Sequence, residues 1–355
     1  MKKTHSKNWL KLSVLAASTS LAATVSVVKA AEIDVYGYVK ADFIYDLDQD
    51  LGDELDSSGV NVGAESQSHF RAHARQSRIG FKSEVEGAKL KVEGDFFGGG
   101  GNEVVSNSRS FRIRHAYGQY KNVLIGQTWS TFMDFSALPA TVDFAGPAAA
   151  VFARQTQLRY TLGNLSLAIE NPSPLVGGEE TVLEELPDFI AKYSMSNDNF
   201  SFYAAGLLQT VEIEGGAADG ESESYFGLHA GGNVKLGDST LMLSVVSNAG
   251  RYGTAGFANP TFVVVGDQLQ TNDYTGLTLA YNLKNFNIAY GNVSFDEDYL
   301  AATDKKDIST FHVNYSIKAS KNVTYMFEFS AAKNELVNGE SDTAKRLQFA
   351  AQYNF

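Results

Sequence analysis

The sequence predicts an all-β fold, a transmembrane antiparallel β-barrel of about sixteen strands with short periplasmic turns and long extracellular loops. Three observations predict it. Apolar and polar residues alternate over stretches of about ten residues; the breaks between these stretches alternate between short and long; and no apolar run after residue 30 approaches the ~20 residues of a membrane helix. A chain that spans a bilayer without helices must close its strands into a barrel, because open strand edges cannot be solvated by lipid.

The first thirty residues are a unit of their own. Lys2, Lys3, Lys7 and Lys11 precede an apolar stretch from Leu12 to Val28, and Val28 and Ala30 are small residues at the positions a signal peptidase prefers. A secretory signal peptide over 1–30 is expected, with the mature chain starting at Ala31 and the barrel filling 31–355. An uncleaved anchor is the alternative, which the interrupting Ser and Thr disfavour. Loss of the segment's five lysines would take the formal charge from −12 to −17. The absence of cysteine argues against a small disulfide-stapled exported domain. The 17 Tyr and 23 Phe are a heavy aromatic load beside only 2 Trp, which suits strands ending at a membrane interface.

Strand by strand, Val323, Tyr325, Phe327 and Phe329 alternate with Thr324, Met326, Glu328 and Ser330, which puts one set on each face. The pattern recurs in Leu347 to Phe355, Phe311 to Ile317 and Leu241 to Val245. The opposing faces carry His312, Asn314, Ser316, Arg346, Gln348 and Gln352. Turn dipeptides sit at Glu86-Gly87, Lys121-Asn122, Gly163-Asn164, Asn197-Asp198, Gly237-Asp238, Lys284-Asn285 and Ser320-Lys321. Long breaks run at about 46–69, 98–109, 129–153, 172–187, 212–222, 251–271, 296–307 and 334–344. Seven turns and eight loops join sixteen strands with both chain ends on the short-turn side, and a barrel of that size holds water rather than a packed core. A soluble sandwich would explain the alternation but not the short/long rhythm.

Three segments carry a resemblance: Gly94-Asp95-Phe96-Phe97-Gly98 onward to Glu103, Phe111-Arg112-Ile113-Arg114-His115-Ala116-Tyr117-Gly118, and Gly126-Gln127-Thr128-Trp129-Ser130-Thr131-Phe132-Met133-Asp134. With Leu138-Pro139, Asp143-Phe144, Gly146-Pro147, Arg154-Gln155, Tyr160 and Glu170-Asn171-Pro172, they resemble the DcaP-like porin family. The resemblance implies a homotrimeric, sixteen-stranded outer-membrane porin that takes up small organic anions such as dicarboxylates. The best-known members carry a helical extension before the barrel, whereas here the first strand is expected from Ile33.

Strand parity nominates the pore-lining, anion-binding residues. Ile79 and Phe81 facing lipid leave Arg78 inside, Phe111 and Ile113 leave Arg112 and Arg114, Leu158 and Tyr160 leave Arg159, and Arg346 follows the same rule. Two guanidinium groups two residues apart lie about 6.5–7 Å apart along a strand, a spacing suited to a short dicarboxylate. The competing reading has them brace the wall against Glu93, Asp95, Glu170 and Glu328. The segment 129–153, rich in Trp129, Phe132, Phe135 and Phe144, is expected to fold inward as a constriction loop, with Asp134 and Asp143 pinning it to wall arginines; a surface lid or trimer contact is the alternative. Acid runs such as Asp46 to Asp56, Glu179 to Glu185 and Asp296 to Asp298 read as solvated external loops, more than a Debye length of about 8–10 Å from much of the lumen. Arg71, His73 and Arg75 have lipid-facing parity, which implies that they rise above the bilayer, sit in a subunit interface or follow a bulge.

These observations favour a diffusion porin over two other classes. A barrel hydrolase would need a paired Ser and His on the outer face; His115 shares parity with Phe111 and Ile113, but no serine motif matches it. A barrel adhesin would rest on loops that lack aromatic or repeat character. No enzyme activity, cofactor, metal or nucleic-acid partner is expected; the expected partners are copies of the chain, small anionic solutes, and the lipopolysaccharide and phospholipid around it.

Overall fold

A computed structural model describes residues 32–172, 176, 181–183, 186–253 and 258–355. The export segment expected over 1–30 lies outside the described residues. In chain order the strands are β1 (Ile33–Asp46), β2 (His69–His73), β3 (Arg78–Val85), β4 (Ala88–Gly98), β5 (Ser110–Tyr120), β6 (Val123–Trp129) and β7 (Arg154–Leu162). There follow β8 (Leu165–Glu170), β9 (Thr181–Leu183), β10 (Asp188–Ser196), β11 (Phe200–Glu214), β12 (Ser222–Leu236) and β13 (Ser239–Ser247). The last group is β14 (Phe262–Val265), β15 (Gln268–Thr271), β16 (Tyr274–Leu283), β17 (Phe286–Phe295), β18 (Lys305–Lys318), β19 (Val323–Leu336) and β20 (Ser341–Asn354).

Every wall strand pairs antiparallel with its chain neighbours, and β20 returns to β1 in register from Tyr38↔Asn354 to Asp46↔Arg346. The sheet is thereby closed. β2 and β3 are two halves of one crossing, β9 only lengthens the edge of β11, and β14 and β15 form a hairpin of their own, which leaves sixteen crossings. The seven short turns fall where the turn dipeptides stand. Glu86 and Gly87, Lys121, Gly163, Gly237 and Lys284 take the positive φ that tight hairpins require. Both described ends meet on this side, where Gly37 and Phe355 exchange backbone hydrogen bonds at 3.3 and 3.1 Å. The opposite rim carries the long loops, except that β19 and β20 run on and shrink the break expected over 334–344 to a turn at 337–340.

Outward residues form an apolar belt that includes Val92, Phe111, Ile125, Leu167, Leu243, Leu279 and Phe327, all exposed on the isolated chain. Alternation holds this belt together, and two irregularities break it. After His73 the chain leaves the ladder over 74–77, closed by Ser77 N donating to Ala74 O, and re-enters at Arg78 as β3 with the parity reversed, so β2 runs opposite to the parity read from β3. Phe70 now faces out, while Arg71, His73 and Arg75 turn in toward loop 47–68. The bulge explanation for these three polar residues therefore holds. The second irregularity lies between β4 and β5, where Glu93 pairs with His115 but Gly94 pairs with Ile113, so Arg114 is the extra residue. Both Arg114 and His115 consequently point inward. His115 does not share the outer face of Ile113, and the surface histidine of the hydrolase reading is removed.

The apolar core lies between wall and loop. Residues 130–153 fold against the inner face, where Phe132, Met133, Ala148, Ala149 and Val151 pack on Ile190, Leu207, Val246, Val293 and Ile308. Inward positions that would otherwise be polar are apolar where the loop covers them, which removes them from water and holds the loop in place.

Candidate functional site

The inner loop is tied to the wall by its backbone as much as by its side chains. Val142 and Asp143 donate their N–H groups to Glu328 at 2.7 and 3.2 Å, Ala148 N to Thr310 at 2.9 Å, and Thr131 N to Glu170 at 2.7 Å. Ala140 O accepts from Asn314 and Asn287. Lys192 holds Met133 O at 2.9 Å and Asp134 at 3.2 Å, so Asp134 is pinned by a lysine rather than by an arginine. Asp143 does meet a wall arginine, accepting from Arg346 at 3.0 Å.

Arg346 is the centre of a buried clamp. Its Nε and Nη2 donate to Asp46 at 2.7 and 3.1 Å, its Nη1 to Asp143, and Nη2 also to Gly52 O at 2.7 Å. With no exposed surface it does not line the water, contrary to the parity reading, because two loops close over it. One is the inner loop; the other is 47–68, whose acids were expected to hang outside. Leu51, Leu55 and Val60 instead pack on Ala332 and Ala344 of β19 and β20, and Leu55 N donates to Asp143. Asp53 binds Arg71 at 3.0 Å, Arg109 at 3.3 Å, and Arg75. Sequence parity sees neither closure, since both depend on how loops return over a strand.

The remaining predicted arginines lie on β3, β5 and β7 and divide into two kinds. Arg114 is buried and bonds Glu93 at 2.9 Å and Asp95 at 2.8 Å, so it too braces the wall instead of lining the pore. Arg112 shares Asp95 through two bonds of 2.9 and 3.0 Å but keeps about a third of its side chain exposed, 35%. Arg78 lies 5.1 Å over the Tyr38 ring, and neither it nor Arg159 forms an ion pair among the described residues. Arg78 borders a cavity of about 230 Å³ between wall and inner loop, shared with Lys40, Asp143, Phe144, Phe152 and Gln352.

Arg154, which parity would place with Leu158 and Tyr160, is the residue that sequence reasoning missed. At the first position of β7 its guanidinium stacks on Trp129 at 3.7 Å and Phe152 at 5.7 Å, with no carboxylate partner among the described residues. Its Nε and Nη2 are buried without a hydrogen-bond acceptor. The signal available in the sequence was its position opposite Trp129 at the loop's two ends. The rings form a continuous run: Phe97 to Phe144 at 5.0 Å, Phe144 to Phe152 at 5.7 Å, Phe152 to Trp129 at 4.7 Å and Trp129 to Phe135 at 5.3 Å. Arg112, Arg114 and Arg154 lie along this run, each within 5.7 Å of two rings.

Known proteins share both the fold and the family. The chain is similar to the outer-membrane channel DcaP of Acinetobacter baumannii, with TM-score 0.82 and 24% identity over 92% of this chain and 97% of that one. It is more distantly similar to an anion-selective porin from Comamonas acidovorans (TM-score 0.58, 12% identity, 92% and 100% coverage). Salmonella typhi OmpF, solved with daunomycin, gives TM-score 0.59 and 14% identity over 92% and 98%. No curated protein matched. The family model described as DcaP outer membrane protein matches residues 7–355, so the chain belongs to the DcaP family and is an outer-membrane channel, not an enzyme.

Proposed function

We propose that this channel passes small organic anions, dicarboxylates among them, and that Arg78, Arg112, Arg154 and Arg159 provide the attraction while loop 130–153 narrows the path. The observation that carries the reading is an imbalance in what faces the lumen. The acids of the wall and of loop 130–153 are buried and engaged: Asp95 by two arginines, Glu328 by two loop N–H groups and Asn314, Asp46 and Asp143 by Arg346. Arg78, Arg154 and Arg159 have no such countercharge among the described residues. The fixed charge that the wall leaves to meet a solute is therefore positive, despite the chain's formal −12.

Across water-filled distances each guanidinium contributes on the order of 1 kcal/mol, enough to bias traffic several-fold without trapping the solute. Arg114 and Arg346 act in this scheme as braces that fix the loop and the neighbouring arginines. The functional unit is a homotrimer, as the family resemblance implies, with its apolar belt meeting phospholipid, lipopolysaccharide or a neighbouring copy.

The test is the reversal potential across a KCl gradient in a planar bilayer. Wild type should favour chloride, and the double variant Arg78→Gln, Arg154→Gln should lose about thirtyfold of that preference, two charges at the stated strength, while still folding. Cation selectivity in both would sink the reading. Light scattering in mild detergent tests the trimer.

A further inference from the structure

We propose that Glu54, on the folded-in loop 47–68, is a specificity-determining residue whose proton occupancy sets how strongly the channel favours anions. The inference goes beyond the arginine reading above but rests on the same lumen.

Geometry fixes where Glu54 stands. Its chain neighbours are both locked: Asp53 binds Arg71, Arg75 and Arg109, and Leu55 is buried with its N–H on Asp143. Further along, Asn334 of β19 holds Ser58 O and Val60 O at 3.0 Å each, and Arg346 holds Gly52 O. The loop cannot carry Glu54 away from the lumen without breaking these contacts. Yet Glu54 itself makes no hydrogen bond or ion pair among the described residues, and its side chain is only half-buried. A carboxylate held in place without a partner is available to the solute path.

The groups facing it come from every element packed there. They are Asp143 of the inner loop, Asp95 of β4, Arg112 of β5 and Asp56 of its own loop, with His73 of β2 on Asp53 O and Arg346 of β20 on Gly52 O. Burial, then the carboxylate of Asp143, push the Glu54 carboxyl up to about 7, with Arg112 opposing. Three acids against one near arginine leave the protonated form accessible at neutral pH. Below that range Glu54 is neutral and adds nothing to the charge around the Arg112–Asp95 pair; above it, a second negative charge opposes Arg112.

The experiment measures the KCl-gradient reversal potential from pH 8 to pH 6 for wild type and Glu54→Gln, with the heat-shift of the folded band confirming assembly. Wild-type chloride-to-potassium permeability should rise about threefold on acidification. E54Q should hold the acid-side value at every pH, and Glu54→Asp, which keeps a carboxyl, should retain a slope. A flat wild-type profile, or a slope that survives in E54Q, overturns the proposal. A pore that prefers cations at every pH, but whose slope vanishes in E54Q, would overturn the arginine reading and leave Glu54 standing.

Discussion

Removing the Arg346 guanidinium would strand two carboxylates, Asp46 and Asp143, which have no exposed surface on their side chains. Breaking a buried pair by deleting one partner costs about 3–5 kcal/mol, because the remaining charge has neither water nor countercharge. Arg346→Ala should therefore lower the urea midpoint of the barrel in detergent by an amount corresponding to that loss. Arg346→Lys should fall between, since an ammonium cannot make the two parallel bonds to Asp46. An unchanged midpoint in R346A would mean that the clamp is solvated in the native state. Arg112 behaves differently: it is partly exposed and shares Asp95 with Arg114, so Arg112→Gln should affect selectivity more than stability.

At the scale of the element, Glu328 shows how a strand holds a loop. Its two oxygens accept the N–H groups of Val142 and Asp143 as well as Asn314 Nδ2, and His312 lies at 3.2 Å. Glu328→Gln would turn one acceptor into a donor facing donors, so single-channel records should show added open-state noise as loop 130–153 loosens; recordings as quiet as wild type would count against that tether. Gly126 gives a second test, because its φ of +122° would strain any side chain and a Cβ there would lie 2.3 Å from Ala116 O. Gly126→Ala should cost about 1–3 kcal/mol by urea unfolding and weaken the β5–β6 pairing. The strand count and the seven turns were legible in the sequence because period-2 alternation and turn chemistry are local. The direction of His115 was not, and for Arg71 and His73 a bulge was only one of three readings, because one inserted residue at Arg114 and one break at 74–77 reverse parity without altering composition. Arg154 escaped for a related reason: at a strand's first residue, direction is set by the loop that delivers it.

Over the whole molecule the outward face is a test of orientation in lipid. Leu243 of β13 pairs with Leu279 of β16, and both are exposed on the belt. Leu243→Arg should cost about 2–4 kcal/mol near the bilayer midplane, measured by reversible unfolding from vesicles; a cost near zero would place that site at the interface. The seam between β1 and β20 has a separate consequence for biogenesis. Until β20 is in place, β1 and β19 present unpaired edges that lipid cannot satisfy, and Asp46 has no guanidinium. The strand that seals the wall also brings Arg346, and with it the tie that draws 47–68 and 130–153 together inside. A chain cut short before β20 would therefore lack the tie that seats 130–153 as well as its seal, so an unfinished copy cannot persist in the membrane as an unguarded hole.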